Sequence, residues 1–185
     1  MQDGERPEDR KPRREPRPPR KVTPGYLENA ALYYLQRYAA TESQLRRVMM
    51  RRVDRSVKAH GTDRAEAVAW LALLVEKLRR GGLLDDSAYA SMKARSLRSS
   101  GRSGRMISQK LLMKGVPADL VKSKVQEVTS EVSEEEAARI WARKKRLGCF
   151  RPEERRREED RRRDLGAMAR AGFSFAVAKR VLEGG

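Results

Sequence analysis

The chain has 185 residues, enough for one domain or a short array of small modules. Its net charge of +17, from 43 Lys and Arg against 26 Asp and Glu, favours polyanionic partners such as nucleic acid or an acidic protein groove. With one cysteine, Cys149, and one histidine, His60, it can build neither an internal disulfide nor a usual four-ligand zinc site, and it has no apolar run of about 18 residues to span a membrane.

Residues 1–24 hold six of the eight prolines and 13 charged residues. Such a segment has nothing to bury and reads as a disordered tail. It contains no apolar leader, so the chain is expected in the reducing cytoplasm. From Tyr26 onward the apolar spacing is helical. Leu27, Ala30, Ala31, Tyr34, Leu35 and Tyr38 share one face. Tyr26, Tyr33, Tyr34 and Tyr38 cluster near this helix and could form a stacking platform, but core packing explains them better. Thr41 to Gln44 is a capping box ahead of Leu45, Val48 and Met49. His60-Gly61 breaks the chain, and Thr62 can cap a helix carrying Ala67, Leu71, Leu74, Val75 and Leu78. Gly81-Gly82 ends it.

Asp85 and Asp86 open the next helix, where carboxylates suit the positive end of the dipole. Nothing nearby would complete a metal or acid–base pair with them. Gly101 to Gly104 interrupts before Met106, Ile107 and Leu111, and Gly115 stops that helix. Pro117 suits a first helical turn ahead of Leu120, Val121, Val125 and Val128. Ser133 to Glu136 is a second capping box, before Ile140 and Trp141. Cys149 reads as a small half-buried residue at a helix end. Pro152 opens a highly charged helix that turns apolar at Leu165 and Met168; Gly172 stops it and Ser174 caps the last. No strand pattern occurs.

The helix pattern recurs. In two stretches, Ile107 to Val116 and Met168 to Phe173, a glycine ends the middle helix and an apolar residue follows; Leu45 to Val53 matches their spacing without the glycine. The predicted fold is therefore all-α, with tandem three-helix repeats in an elongated curved array. The expected divisions are a tail over 1–24 and repeats over 25–83, 84–131 and 132–185. The alternative is one compact helical domain with coincidentally similar caps.

The stretch Gly82-Leu83-Leu84-Asp85-Asp86, Tyr89-Ala90, Arg95, Gly101, Arg105, Ile107, Leu111 and Lys114-Gly115-Val116 resembles the middle repeat of the RecX family, regulators of the bacterial recombinase RecA. Ala171-Gly172-Phe173-Ser174 resembles the family's third repeat. The likeness covers about residues 26–183 and is thinnest at 50–70 and 150–163. It implies binding along the groove of a RecA filament on DNA, as a monomer, with inhibition of RecA's ATPase, coprotease and strand-exchange activities. Two stretches depart from the family pattern. Arg51-Arg52-Val53 stands where a Lys-Gly stop would, followed by a longer connection to Thr62, and Arg151 to Arg163 is too charged for a core helix.

The charge pattern supports a binding role independently. Residues 87–118 hold Lys93, Arg95, Arg98, Arg102, Arg105, Lys110 and Lys114 and no acidic residue. Residues 45–60 add Arg46, Arg47, Arg51, Arg52, Arg55 and Lys58 against Asp54 alone. Uncompensated like charges on a helix repel by about 0.2–0.5 kcal/mol per pair, so an external anion is the expected balance. The candidate contacts to RecA carboxylates or DNA phosphates are Arg46, Arg47, Arg51, Lys93, Arg95, Arg98, Arg102, Arg105, Lys110 and Lys114. By contrast, Arg151 to Arg163 mixes both signs and reads as self-paired. No phosphate-binding loop, cofactor motif or catalytic constellation is present. A general DNA-binding helical protein is the competing reading.

Overall fold

A computed structural model describes residues 18–153 and 159–184. All the described α-helices except those over Ala118–Glu131 and Asp160–Arg170 start where a short polar side chain satisfies orphan amides. Thr23 caps α1 (Pro24–Arg37), with proline in the first turn. The Thr41–Gln44 capping box opens α2 (Glu42–His60). Asp63 caps α3 (Arg64–Arg80), accepting from the Ala65 and Glu66 amides at 2.7 and 3.1 Å. Thr62, the cap expected from sequence, is instead buried with its hydroxyl 2.6 Å from that of Ser56. Asp85 and Ser103 cap α4 (Asp86–Ser99) and α5 (Gly104–Met113). Pro117 precedes α6 (Ala118–Glu131), and the Ser133–Glu136 capping box opens α7 (Glu134–Lys145). A 3-10 turn, Gly148–Phe150, leads toward α8 (Asp160–Arg170), and Ser174 caps α9 (Phe175–Glu183). The described residues contain no strand. The helix expected to open at Pro152 runs into residues 154–158 and lies outside them.

Among the described residues, three separate clusters of buried side chains replace the single core that a compact domain would need. Leu27, Leu45, Met49, Val53 and Leu71 centre the first, within α1–α3. Ile107, Leu111, Val121 and Val128 centre the second, within α4–α6. Ala138, Met168, Ala178 and Val181 centre the third, within α7–α9. Extensive helix packing stays inside each unit. The reading of residues 1–24 as wholly tail is corrected here. Val22 is buried in the first cluster, and its amide donates to Ser56 Oγ at 2.8 Å.

With little helix packing across the junctions, a repeated polar joint connects the units. The N-cap hydroxyl of the second helix in each of the first two units has two roles. Thr41 Oγ1 accepts from the Gln44 amide and donates to the Lys114 carbonyl at 2.6 Å, at the end of the next unit's second helix. Ser103 Oγ accepts from the Met106 amide and donates to the Ala171 carbonyl at 2.7 Å, one unit further on. A second bond repeats beside it. The Glu42 amide donates to Asp86 Oδ1 at 2.9 Å, and the Gly104 amide to Glu134 Oε1 at 2.7 Å. In both, the first residue of a second helix is capped by the first residue of the next unit's first helix.

The joint explains two sequence features. Gly115 and Gly172 follow the accepting carbonyls at φ +82 and +89, and a Cβ would lie 2.3 Å from Ser43 Oγ or 2.5 Å from Ser103 Oγ. Glycine serves both the left-handed turn and the close approach. Val53 holds the corresponding place in unit one, where no hydroxyl of another unit arrives among the described residues. Helix α2 therefore needs no stop and continues for 19 residues, against 10 in α5. The expected longer connection before Thr62 is mostly this extra helix, and its Ser56 holds Val22.

Burial pushes the Asp86 carboxyl above its ordinary value of 3.8, and the Glu42 and Asp85 charges add to the effect against the amide bond that opposes it. The folded state thus favours the protonated group, so this contribution is largest at low pH and declines as pH rises from 3.8 through the raised value. Asp86→Asn is expected to flatten that slope in urea denaturation followed across pH. Ser103→Ala should cost about 1–2 kcal/mol through the lost cap and joint. Gly172→Ala should cost at least about 1–2 kcal/mol for the left-handed backbone alone. The double variant should be less destabilised than the sum, because removing the hydroxyl makes room for the new methyl.

Candidate functional site

The tertiary structure divides the predicted cationic residues into groups with different fates. Arg98 is corrected outright. It is 1% exposed, and its guanidinium is consumed internally. Nε and Nη2 donate to the Val132 carbonyl at 2.9 and 2.6 Å, and Nη1 donates to the Arg102 carbonyl at 3.0 Å and to Glu134 Oε2 at 3.2 Å. The same Glu134 caps Gly104, so Arg98 braces the second joint from inside. A buried arginine of this kind contacts no partner. Helix α4 also ends at Ser99, so Arg95, Arg98 and Arg102 do not form one face.

Arg95 is exposed but paired, with Nη2 2.6 Å from Glu127 and 3.2 Å from Glu131. The acids come from α6, outside the acid-free window 87–118. The Glu127 carboxyl lies below its ordinary value, first through the Lys124 hydrogen bond and then through the charges of Lys124 and Arg95. Arg46 pairs likewise with Glu42 at 2.9 Å. Lys93 and Lys110 are half-buried.

Arg47, Arg51, Arg105 and Lys114 are exposed and form no ion pair among the described residues. Arg47 and Arg51 lie one turn apart on α2. Arg105 and Lys114 stand at the two ends of α5, and Lys114 flanks the Thr41 joint. Arg102, half-buried in the turn before α5, lies over the Trp141 ring with Cζ 4.4 Å from its centroid. Lys145 Nζ is 5.3 Å from the same centroid. In sequence, Trp141 stands only among the apolar residues behind the Ser133 capping box, and the run Arg143-Lys144-Lys145-Arg146 lies outside the candidate contacts. That run was legible as the cationic end of a helix; its convergence with Arg102 was not.

Within the 151–163 segment Arg151 and Arg163 both pair with Asp160, but the segment is not merely a solvated surface. Asp164 stands 57 residues beyond Ile107, at the same core position, and is buried. It accepts from Arg151 Nη2 at 2.8 Å and from the Gly148 amide at 2.9 Å. Asp160 pairs with Arg151 and, at 2.9 Å, with Arg163. An ion pair thus substitutes for apolar packing in the third unit.

No helix among the described residues is long and apolar enough to cross a membrane. Among the described residues, guanidinium and ammonium groups without an ion pair stand on α2, on α5 and at the end of α7, suited to carboxylates or phosphates.

Arg98→Ala should destabilise the chain by about 3 kcal/mol, since it strands buried carbonyls and Glu134. Arg95→Ala should cost under about 1 kcal/mol. Urea denaturation of the two variants measures the difference.

The family described as "RecX, second three-helix domain" matches residues 85–123. A regulatory protein RecX from Myxococcus xanthus is 66% identical over 175 residues, covering 95% of this chain and 94% of that protein. Another from Agrobacterium fabrum is 35% identical over 160 residues, covering 85% and 82%. In fold, the chain is similar to the crystal structure of RecX from Lactobacillus salivarius, with a TM-score of 0.64 at 19% identity over 86% of this chain and 94% of the other. A second crystal structure, of a regulatory protein RecX, aligns with a TM-score of 0.62 at 24% identity over 85% and 70%.

Proposed function

Since the chain belongs to the RecX family of regulatory proteins, we propose that it binds the RecA filament on DNA and inhibits RecA's ATPase, coprotease and recombinase activities, modulating DNA repair and recombination. It acts in the cytoplasm, as a monomer, by binding and not by catalysis. The observation that carries this reading is the middle unit. It matches the family over residues 85–123 and bears Arg105 and Lys114 exposed without internal ion pairs. Residues 25–83, 84–131 and 132–185 serve as three repeats laid along the filament. A linear array suits an extended partner, because each unit adds surface without needing a larger core. Arg47 and Arg51 on α2 extend the contact beyond the middle unit.

A general DNA-binding role is the second reading, favoured by the net charge of +17. It predicts DNA affinity that falls steeply with salt in the absence of RecA. RecA co-sedimentation that persists at a salt concentration where DNA alone is no longer bound would eliminate it.

The full chain titrated into RecA on single-stranded DNA should lower ATP turnover at or below stoichiometric amounts, at both low and moderate salt. Unchanged turnover with unchanged filaments at saturation would overturn the proposal. The combined variant Arg47→Glu, Arg51→Glu, Lys114→Glu should raise the amount needed for half-inhibition by about tenfold or more, because like charges facing each other across an interface cost several kcal/mol. Its far-UV circular dichroism should remain helical.

A further inference from the structure

A notch of about 390 Å³ lies where the second and third units meet, lined by Arg102, Met106, Trp141, Lys145, Leu147 and Arg170 together with two alanines of α8 and its end. Its floor is carbon. The indole Nε1–H of Trp141 is buried and has no hydrogen-bond partner, so the ring presents carbon, not its donor, to the notch. The position is fixed. The Gly101 turn, at φ +83, packs so closely on α7 that a Cβ there would lie 2.8 Å from the Trp141 amide nitrogen and 2.9 Å from the Ala137 carbonyl. The ring is thus held on a rigid helix at a tight junction.

The rim is cationic and uncompensated. Arg102 and Lys145 both lie over the Trp141 ring. Arg170 lines the notch, and Arg105 is beside it, its Cβ 3.4 Å from where a Cβ on Gly172 would be. Lys144 and Arg146 follow at the end of α7, with Lys144 Nζ donating to the Ser100 carbonyl at 3.1 Å. None of these six forms an ion pair among the described residues, and no carboxylate lines the notch. Elsewhere, Arg46, Arg64, Lys77, Arg95 and Arg180 each have a carboxylate. A cation resting on a half-buried aromatic ring gains about 0.5–2 kcal/mol, no more than the roughly 1.5–3 kcal/mol of a charge-assisted bond to an anion. These cations are therefore available.

A carbon-floored aromatic shelf with a guanidinium over it and a multiply charged rim combines the two elements that single-stranded nucleic acid needs, a stacking surface and a track for the backbone. We infer that this notch is a nucleic-acid contact: one base of a single strand stacks against Trp141 and Arg102, and the flanking phosphates lie on Lys145, Arg170 and the basic end of α7. The repeating charge of a backbone fits the three lining cations, Arg102, Lys145 and Arg170, with Arg105, Lys144 and Arg146 on the neighbouring turns, and every base offers a π face to the shelf, so the contact is indifferent to sequence. The inference deepens the filament reading, on which it rests for the identity of the strand as filament DNA. Its test contains no RecA, so either can fail alone.

Trp70→Phe leaves Trp141 as the sole tryptophan of the full chain. Titration of this variant with oligo(dT) at low salt should quench and shift Trp141 emission in parallel with binding followed by anisotropy of a labelled strand. Trp141→Leu should weaken the anisotropy-measured binding at least about fivefold, with Trp141→Phe restoring most of it. Replacing Arg102, Lys145 and Arg170 with glutamine should lower the slope of log affinity against log salt by about two. Circular dichroism checks folding of each variant, and the glutamine variant tests the site even if the Trp141 variants fold poorly. Strand binding with unchanged Trp141 emission would overturn the inference, as would absence of strand binding at low salt. An equal emission response to polyglutamate would also overturn it, by showing a general polyanion surface.

Discussion

The constraint on which the structure depends is the doubly used N-cap hydroxyl. A hydroxyl is both an acceptor and a donor, and Thr41 and Ser103 use both functions at once. Each starts its own helix and fastens the next unit. Because three small cores each bury little surface, the array cannot rely on helix packing across the junctions. The joint sets the register from unit to unit, and it determines where the glycines must fall. Gly115 and Gly172 are needed because the hydroxyl-bearing turn approaches closer than any Cβ would allow. Val53 is tolerated because, among the described residues, no hydroxyl of another unit arrives there and its side chain packs into the first core.

The same economy governs the charges. Arg98 is spent on holding the Val132 carbonyl and Glu134, so a residue that reads as surface cation is part of the frame. Asp164 occupies an aliphatic position of the other two units and is compensated by Arg151 and the Gly148 amide. Removing one member of such a buried set leaves the others unsatisfied, which makes these residues sensitive to change without any contact with a partner. The cations left over, on α2, on α5 and around Trp141, are those the fold does not consume.

A string of small units with leftover cations is suited to an extended polyanionic partner. Hydrogen bonds at the joints hold charges on different units at a set spacing, which a chain of unbonded modules would not provide. The notch at the last junction differs from the α2 and α5 surfaces in having an aromatic floor, so it can recognise a base as well as a charge.

Most of the architecture was legible in the sequence. Capping boxes at Thr41 and Ser133, the aspartate cap at Asp85 and glycine stops at Gly115 and Gly172 are local signals, set by the satisfaction of backbone groups within a few residues. The repeat spacing and the middle-unit pattern likewise lie along the chain. Burial and pairing do not. Whether Arg98 faces solvent depends on the Val132 carbonyl 34 residues away, and Arg95 is neutralised by Glu127 and Glu131 from another helix. Asp63 displaced Thr62 as a cap because Ser56 drew the Thr62 hydroxyl inward. Trp141 became a shelf only when the Gly101 turn brought Arg102 onto it. The sequence by itself thus determined the helices, their stops and their repetition, because those depend on near neighbours. Only the tertiary structure decided which charges remain free to bind, because a charge's fate depends on whatever the fold places within a few ångströms of it.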